Sequence, residues 1–299
     1  PDRLKASNRP LELLPTPRPR ALTCGIAGAV AGALDKSSLE GVMFIMTKRY
    51  IRKQNITRTK IMKQDVSTRP CRRYCPAIML SVIIPTRNAN ASLPRTLACL
   101  AELRDEAGIG EIIVADGGSV TSPDVSEFGA VLLRGQSGRG HQMAAGAKAA
   151  TGDWLFFLHA DTVLGKGWAR AVRAHMAGSG KAAVFRFELD DASIKARILE
   201  KLVHVRCRVF AMPYGDQGLL VSRALYDEAG GFRPLPLMED VDLVSRIGRS
   251  RLTYLDVPAI TSAERYVRDG YVTRIVRNLT CLAMWSLGVS PERIKRFYK

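Results

Sequence analysis

The chain has 299 residues, of which 46% are apolar, enough for a globular core in one large domain or two small ones. Its net charge of +17 is uneven: residues 1–78 hold 16 Lys and Arg against 5 Asp and Glu, whereas residues 79–299 hold 29 against 23. Because the excess lies mainly in the first quarter, and aromatic and basic residues do not interleave, we expect no nucleic-acid partner. The six cysteines are scattered and suggest no disulfide framework, so we expect reduced thiols and a cytoplasmic protein.

Residues 1–78 differ in composition from everything after them. They begin with a proline- and arginine-rich stretch, and Met79 stands directly before the first strand-like run. We therefore expect a basic leader over 1–78, disordered or not part of the working protein, and one catalytic domain over 79–299. Within the leader, Leu39–Ile51 has apolar residues at helical spacing followed by lysines. This pattern leaves open a peripheral contact with the inner face of a membrane.

From Leu80 onward, strand-like and helix-like patterns alternate. Short β-branched or aromatic runs predict strands over 80–85, 111–115, 130–133, 154–158, 182–187 and 219–222. Apolar residues at helical spacing predict helices over 92–104, with Ser92 as the N-cap, and over 141–150, 168–176 and near the C-terminus. The alternation predicts an α/β fold with a mostly parallel sheet flanked by helices, and a less regular second half.

The strand Trp154–Leu158 is followed at once by two groups that can bind a metal, His159 and Asp161. Five apolar residues in a row indicate a strand buried on both faces. Since ligands of open α/β sheets lie beyond the carboxyl ends of the strands, a carboxylate here could hold Mg²⁺ or Mn²⁺. An aspartate that only caps the following turn is the alternative.

Three of the predicted strands end in polar loops, which are Pro85-Thr86-Arg87-Asn88, Asp116-Gly117-Gly118-Ser119 and His159-Ala160-Asp161. Parallel strands place these loops at one edge of the sheet, where they should form a polar cleft. A carboxylate at the end of the second strand, here Asp116, can accept hydrogen bonds from a ribose or a base. A glycine-rich basic loop over 135–140 leads into the helix that carries Gln142.

Further candidate site residues follow in the second half. The turn after Pro213 carries Asp216 and Gln217, and Glu239, Asp240 and Asp242 open a helix. Acids at a helix N-terminus interact favourably with its dipole, which is the structural alternative to a general base directed into a cleft. Asp242 is assigned to the solvated or structural side of that helix.

The ordered motifs SVIIPT, VADGGS, GDWLFFLHADT, YGDQG and LPLMEDVDL resemble an inverting family-2 glycosyltransferase with a GT-A fold. More narrowly, they resemble the bacterial subfamily labelled arsenosugar-biosynthesis glycosyltransferases. The resemblance extends from Leu80 to about Tyr298. It implies transfer of a sugar from a nucleotide-sugar, UDP-linked, to the hydroxyl of a small-molecule or lipid-linked acceptor, with a divalent cation as cofactor.

The resemblance also implies roles for individual residues. Asp161, with His159, would hold the metal against the donor diphosphate, and Asp240 would be the general base with Glu239 beside it. The residues assigned to the donor are Pro85, Arg87, Asp116, Arg139, Gln142 and Arg265, and those on the acceptor side are Asp216 and Gln217.

Several positions depart from the family pattern. His159-Ala160-Asp161 stands where Asp-x-Asp is usual, Asn88-Ala89 where Asn-Glu is frequent, and Gln142-Met143-Ala144 where Gln-Met-Asn is common. These departures keep a non-catalytic nucleotide-sugar-binding protein as an alternative, against which Glu239-Asp240 argues. A sugar-nucleotide nucleotidyltransferase would need a Gly-rich loop with a lysine after the first strand, and Pro85-Thr86-Arg87-Asn88 lacks one.

Overall fold

The computed structural model describes residues 78–210 and 212–298. The predicted leader and its helix over Leu39–Ile51 lie outside the described residues, apart from Ile78, so the boundary at 78/79 stays a prediction. The strands are β1 Leu80–Thr86, β2 Ile109–Asp116, β3 Val131–Arg134, β4 Trp154–Phe157, β5 Thr162–Leu164, β6 Ala182–Leu189, β7 Leu219–Ser222 and β8 Leu252–Thr261. The helices are α1 Leu93–Glu102, α2 Arg104–Ala107, α3 Arg139–Ala149, α4 Trp168–Gly178, α5 Ile194–Phe210, α6 Arg223–Glu228, α7 Glu239–Ile247, α8 Glu264–Asp269, α9 Tyr271–Ser286 and α10 Pro291–Tyr298.

Within these ranges the eight strands form a single sheet in the order β3-β2-β1-β4-β7-β6-β8-β5. Strands β3, β2, β1 and β4 are parallel neighbours, and β6 pairs in parallel with β8. Strand β7 is antiparallel to both β4 and β6, and β5 is antiparallel to β8. This architecture confirms the predicted α/β class with a mostly parallel sheet.

Strand β4 lies near the middle of the sheet, and its four residues are all buried. Because side chains alternate across a strand, Phe156 and Phe157 enter different clusters on the two faces. Phe156 joins the cluster built from helices α1 and α4, and Phe157 joins the one built from α3, α6 and α7. The continuous apolar run of β4 is therefore explained by helices on both faces.

The second half is more regular than the sequence predicts. It contains the 17-residue helix α5 and the 10-residue strand β8, neither of which was expected. Strand β8 contains Pro258, usually a sign against a strand, and accommodates it where the register with β6 shifts between Phe185 and Arg186. Helix α5 has apolar residues around much of its circumference, so no single stripe marks it. Ser92 is also not the expected side-chain cap, since its hydroxyl donates to the Ala89 carbonyl at 3.3 Å.

None of the helices in the part of the chain described here combines the length and apolar character that a membrane crossing requires.

Arg223 clamps the C-terminal end of α3. Its guanidinium donates to the backbone carbonyls of Gly152 (3.0 Å), Ala147 (3.2 Å) and Ala150 (2.7 Å), which would otherwise lack partners at the helix end. We expect Arg223→Ala to lower the free energy of unfolding by about 2–4 kcal/mol, because charged hydrogen bonds to buried acceptors are lost. Chemical denaturation measures this, with Arg170→Ala on the exposed face of α4 as the control. Equal stability of the two variants would show that the Arg223 hydrogen bonds do not stabilise the end of α3.

Candidate functional site

The loops that follow β1 and β2 are joined by hydrogen bonds. The Asn88 N–H donates to Ser119 Oγ at 2.7 Å, and the Val120 N–H donates to Asn88 Oδ1 at 2.9 Å. The Gly117 N–H donates to the Thr86 carbonyl at 2.9 Å. The two loops therefore meet at the carboxyl edge of the sheet, as the parallel order requires.

Four residues predicted to bind the donor belong to this edge. Gln142 is buried, and its Nε2 donates to the carbonyls of Thr86 (2.6 Å) and Ala115 (2.7 Å), so it braces the ends of β1 and β2. The buried Asp116 carboxylate accepts from Ser119 Oγ at 2.6 Å. The remaining two differ in exposure: Pro85 is buried within β1, and Arg87 is exposed and donates to Ser137 Oγ at 3.0 Å.

A cavity of about 120 Å³ opens beside this edge. It lies where the segment between β4 and β5, the turn before β7, the start of α7 and the start of α8 come together. Its lining includes seven of the predicted site residues, namely Arg139, His159, Asp161, Asp216, Glu239, Asp240 and Arg265. Pro85, Arg87, Asp116, Gln142 and Gln217 are not among the residues that line it.

Asp161 and His159 reach the cavity from the end of β4. One Asp161 carboxylate oxygen accepts a long hydrogen bond of 3.4 Å from Thr261 Oγ1. Burial, together with the charges of Arg139 and Arg265, lowers the pKa of His159 well below its usual value, so the imidazole is neutral and able to ligate a metal. Among the described residues no group of three or more His, Cys, Asp or Glu side chains is arranged to hold an ion. The pair fits a cation that takes its other ligands from substrate phosphates and water.

The Asp240 carboxylate is fixed by backbone donors. Its Oδ2 accepts from the Gly215 N–H at 2.6 Å and its Oδ1 from the Val241 N–H at 2.7 Å. A Cβ on Gly215 would lie 2.8 Å from His159 Nε2 and 3.2 Å from Asp240 Oδ2. Glycine at this position therefore allows the imidazole and the carboxylate to approach the same turn.

Glu239 and Asp240 open helix α7 directly after Met238, which has a left-handed φ of +67°. Glu239 is 3% exposed, and burial followed by the charge of Asp240 raises its pKa to about 7, while Arg139 opposes the rise. Burial lowers the pKa of Arg139, but the carboxylates of Glu239, Asp240 and Asp161 outweigh this and raise it. Arg139 is thus a cation that faces these three carboxylates.

Asp242, on the same helix, is buried and ion-paired. Its carboxylate accepts from Arg246 Nη2 at 2.6 Å and from Arg233 Nη1 at 3.3 Å. Of the two options that the sequence left for this residue, the structural one is correct and the solvated one is wrong.

Asp216 and Gln217 occupy adjacent positions but have different surroundings. Asp216 lines the cavity, and its buried Oδ1 has no hydrogen-bond partner. Burial raises the pKa of Asp216 to about 6, although the charge of Arg206 opposes the rise. Gln217 is 2% exposed, donates to the Phe185 carbonyl at 3.0 Å and accepts from Cys207 Sγ at 3.1 Å. It holds the turn in place and does not reach the cavity.

The sequence did not predict the wall of the cavity formed by the C-terminal helices. Helices α8, α9 and α10 contribute Tyr266, Arg274, Asn278, Cys281 and Tyr298. Arg274 Nη2 donates to Tyr298 Oη at 3.0 Å, and Arg274 also pairs with Asp269 at 3.3 Å. The C-terminal helix predicted from its apolar spacing is α9, and Leu282 on it is buried. The polar residues beside the apolar ones had no spacing that marked them as part of a site.

Part of this chain matches a known protein family. Residues 81–222 match the family described as Glycosyl transferase family 2. This match and the sheet described above confirm the predicted GT-A fold class. For residues 81–222, the match also confirms the predicted enzyme class, a glycosyltransferase.

Curated relatives match a shorter stretch. The chain is 36% identical over 97 residues to the PGL/p-HBAD biosynthesis glycosyltransferase of Mycobacterium bovis, and equally to that of Mycobacterium tuberculosis. The match covers 29% of this chain and spans 37% of the length of each relative. The relatives are named for PGL/p-HBAD biosynthesis, so the arsenosugar subfamily is not confirmed.

Two solved structures have a similar chain course. Glucosyl-3-phosphoglycerate synthase from Mycobacterium tuberculosis, solved with phosphoglyceric acid, is 17% identical with a TM-score of 0.49, covering 71% of this chain and 80% of its own. Residues 1–349 of S. aureus TarS are 14% identical with a TM-score of 0.47, covering 73% of this chain and 69% of that structure.

Asp216 should make stability depend on pH. Because folding raises its pKa from about 4 to about 6, its contribution to stability is complete below pH 4 and is lost as the pH rises through 6. We expect Asp216→Asn to raise the free energy of unfolding at pH 7.5 by about 1–3 kcal/mol and to change it little at pH 4. Denaturation at the two pH values measures this, with the exposed Asp105→Asn as the control. A variant destabilised equally at both pH values would contradict the assignment.

Proposed function

We propose that the chain transfers a sugar from a UDP-linked nucleotide-sugar to a hydroxyl acceptor, with inversion at the anomeric carbon. The supporting observation is that Asp161, Asp240 and two arginines, Arg139 and Arg265, line one cavity. The family match over residues 81–222 supports the reaction class. Asp240 and Arg265 lie beyond that match, and we place the whole catalytic unit within residues 79–299.

The proposed reaction needs a base for the acceptor proton. The acceptor oxygen attacks the anomeric carbon as the bond from that carbon to the diphosphate breaks, and the acceptor proton passes to Asp240. The hydrogen bonds from Gly215 and Val241 fix the Asp240 carboxylate while leaving it lone pairs for this proton. Burial and the charge of Asp240 raise the pKa of Glu239, and a protonated Glu239 limits repulsion beside Asp240.

Negative charge develops on the departing diphosphate. Arg139 and Arg265 are the cations of the cavity assigned to that charge. A divalent cation, Mg²⁺ or Mn²⁺, held by Asp161 and His159, would stabilise the same oxygens as a Lewis acid when bound. The cavity then has its cations on the donor side and Asp240 on the acceptor side.

The nucleoside is assigned to the edge formed by the loops after β1 and β2. Asp116 uses part of its carboxylate for Ser119, which leaves acceptor capacity for a ribose hydroxyl or a base N–H. Arg87 is exposed at this edge and suited to a phosphate, whereas Gln142 and Pro85 shape the edge from within. Their contribution to donor binding is proposed to be positioning.

The acceptor is assigned to the part of the cavity between the turn before β7 and the C-terminal helices. Asp216 is the carboxylate there, and Tyr266, Asn278 and Tyr298 supply further polar groups. Gln217 acts on the acceptor only through the turn that it braces. A small-molecule or lipid-linked hydroxyl compound is consistent with this mixed polar and aromatic lining.

Asp161 should make donor binding depend on metal. We expect Asp161→Ala to weaken UDP binding at least about tenfold in the presence of Mn²⁺, because a charged ligand of the bridging ion is lost, and to change it little in EDTA. Isothermal titration with UDP under both conditions measures the difference, with Asp105→Ala as the matched control. Equal weakening in both conditions would show that Asp161 supports the fold and not a metal.

Asp240 should affect turnover and leave donor binding intact. We expect Asp240→Asn to lower kcat by about 10²–10⁴-fold, because a general base is removed, while UDP affinity stays within about threefold. The rate of UDP release from a UDP-sugar, measured beside the Kd for UDP, separates the two effects.

The matched control is Asp242→Asn, two residues along the same helix. It weakens the pairs with Arg246 and Arg233, so it should lower the free energy of unfolding by about 1–3 kcal/mol and leave the turnover of folded protein nearly unchanged. If Asp242→Asn loses turnover and Asp240→Asn does not, the base is misassigned. If neither loses turnover, the inverting mechanism is wrong.

A further inference from the structure

Helix α5 has apolar residues on two different faces. Its inner face packs Ala196, Leu199, Val203 and Cys207 in one cluster with residues of β6. Its outer face carries a second apolar set whose members are between 50% and 79% exposed, namely Ile194, Ile198, Leu202, Val205 and Val209. We call these five residues the outer stripe. Within residues 78–210 and 212–298, no packing partner buries them.

The outer stripe is regular and continuous. Its members are spaced by four, four, three and four residues. At about 100° per residue they fall within an arc of about 80° and run along a helix about 25 Å long. Isolated exposed apolar residues are ordinary on protein surfaces, but a contiguous row of this length indicates a partner.

Basic residues border the outer stripe along both sides. Lys201 and Arg208 project on one side of it and Lys195 on the other, and all three are exposed. Glu200 is the one acidic residue of α5, and it is turned away: its carboxylate accepts from the Leu189 N–H at 2.8 Å and pairs with Arg197 at 2.9 Å. The outer face of α5 is therefore apolar at its centre and positive at its edges.

We propose that the outer stripe of α5 docks on an anionic membrane surface. An apolar row with Lys and Arg at its margins is the pattern of helices that lie in the plane of the headgroups. Basic side chains near such a surface are attracted by the anionic headgroups, and long basic side chains reach those headgroups while the apolar row enters the acyl boundary. A second copy of this chain fits less well, because two such faces would bring their basic margins together.

The position of α5 relates the docking surface to the cavity. The chain continues from the C-terminal end of α5 to Tyr214, Gly215 and Asp216, which line the cavity. Docking would hold the acceptor side of the cavity close to the headgroups, where a lipid-linked hydroxyl acceptor is found. This extension rests on the proposed function, whereas membrane docking does not.

The test is cosedimentation of the full chain with vesicles of phosphatidylglycerol or of phosphatidylcholine at physiological salt. We expect binding to phosphatidylglycerol and at least about tenfold weaker binding to phosphatidylcholine. Ile198→Glu with Leu202→Glu should weaken binding to phosphatidylglycerol at least about tenfold, because it places two negative charges in the apolar row that enters the membrane. Both residues are exposed, so the fold should tolerate the change. The matched control is Val120→Glu with Val131→Glu, two exposed apolar residues beside the opposite end of the sheet, and it should bind as the unaltered chain does.

A second variant, Lys201→Glu with Arg208→Glu, keeps the apolar row and should remove the preference for phosphatidylglycerol. Thermal unfolding of each variant shows that the fold is retained. Absence of vesicle binding by the unaltered chain would overturn the proposal, as would equal binding by the Ile198→Glu, Leu202→Glu variant, which would place the contact elsewhere. A concentration-dependent dimer that this variant abolishes, with vesicle binding unchanged, would assign the stripe to a second copy and also overturn it.

Discussion

The burial of β4 between a parallel and an antiparallel neighbour is the constraint on which the site depends. Because β1 runs parallel to β4, the loops after both strands emerge at the same edge of the sheet. Because β7 runs antiparallel, with Leu219 opposite Phe157, the turn that precedes β7 lies beside the end of β4. One change of strand direction thus sets Gly215 beside His159, although more than fifty residues of chain separate them.

Electrostatics then determines how the acidic residues can share the cavity. Asp161, Asp216, Glu239 and Asp240 come from three separate segments, and all of them line the same small space. Arg139 at the start of α3 offsets part of this charge, and the raised pKa values of Glu239 and Asp216 offset more. A cavity organised in this way favours cationic or hydrogen-bond-donating ligands on its acidic side and phosphate near its arginines.

The sequence predicts the central strands and the loops that follow them better than it predicts the contacts of individual side chains. Apolar runs that end in polar residues located β1, β2 and β4 and the loops at their ends, because a buried parallel strand needs a continuous apolar sequence. Gln142 and Gln217 show the limit: a polar residue in a motif can face a ligand or the carbonyls of a neighbouring strand, and the sequence is the same in both cases. Strand β8 was missed because a register shift accommodates Pro258. The wall formed by α8, α9 and α10 was missed because it joins the cavity through long-range packing.

The backbone at Met238 connects that wall to the acids of helix α7. A left-handed conformation in a non-glycine residue is unfavourable by about 1–3 kcal/mol and persists only where surrounding packing maintains it. Met238 is held in a cluster with Cys281, Leu282 and Ile294 from the C-terminal helices. Packing by those helices therefore maintains the unfavourable backbone conformation of Met238. That conformation sets the direction in which Glu239 and Asp240 leave the chain. A movement of the C-terminal helices would therefore also change the direction of these two carboxylates.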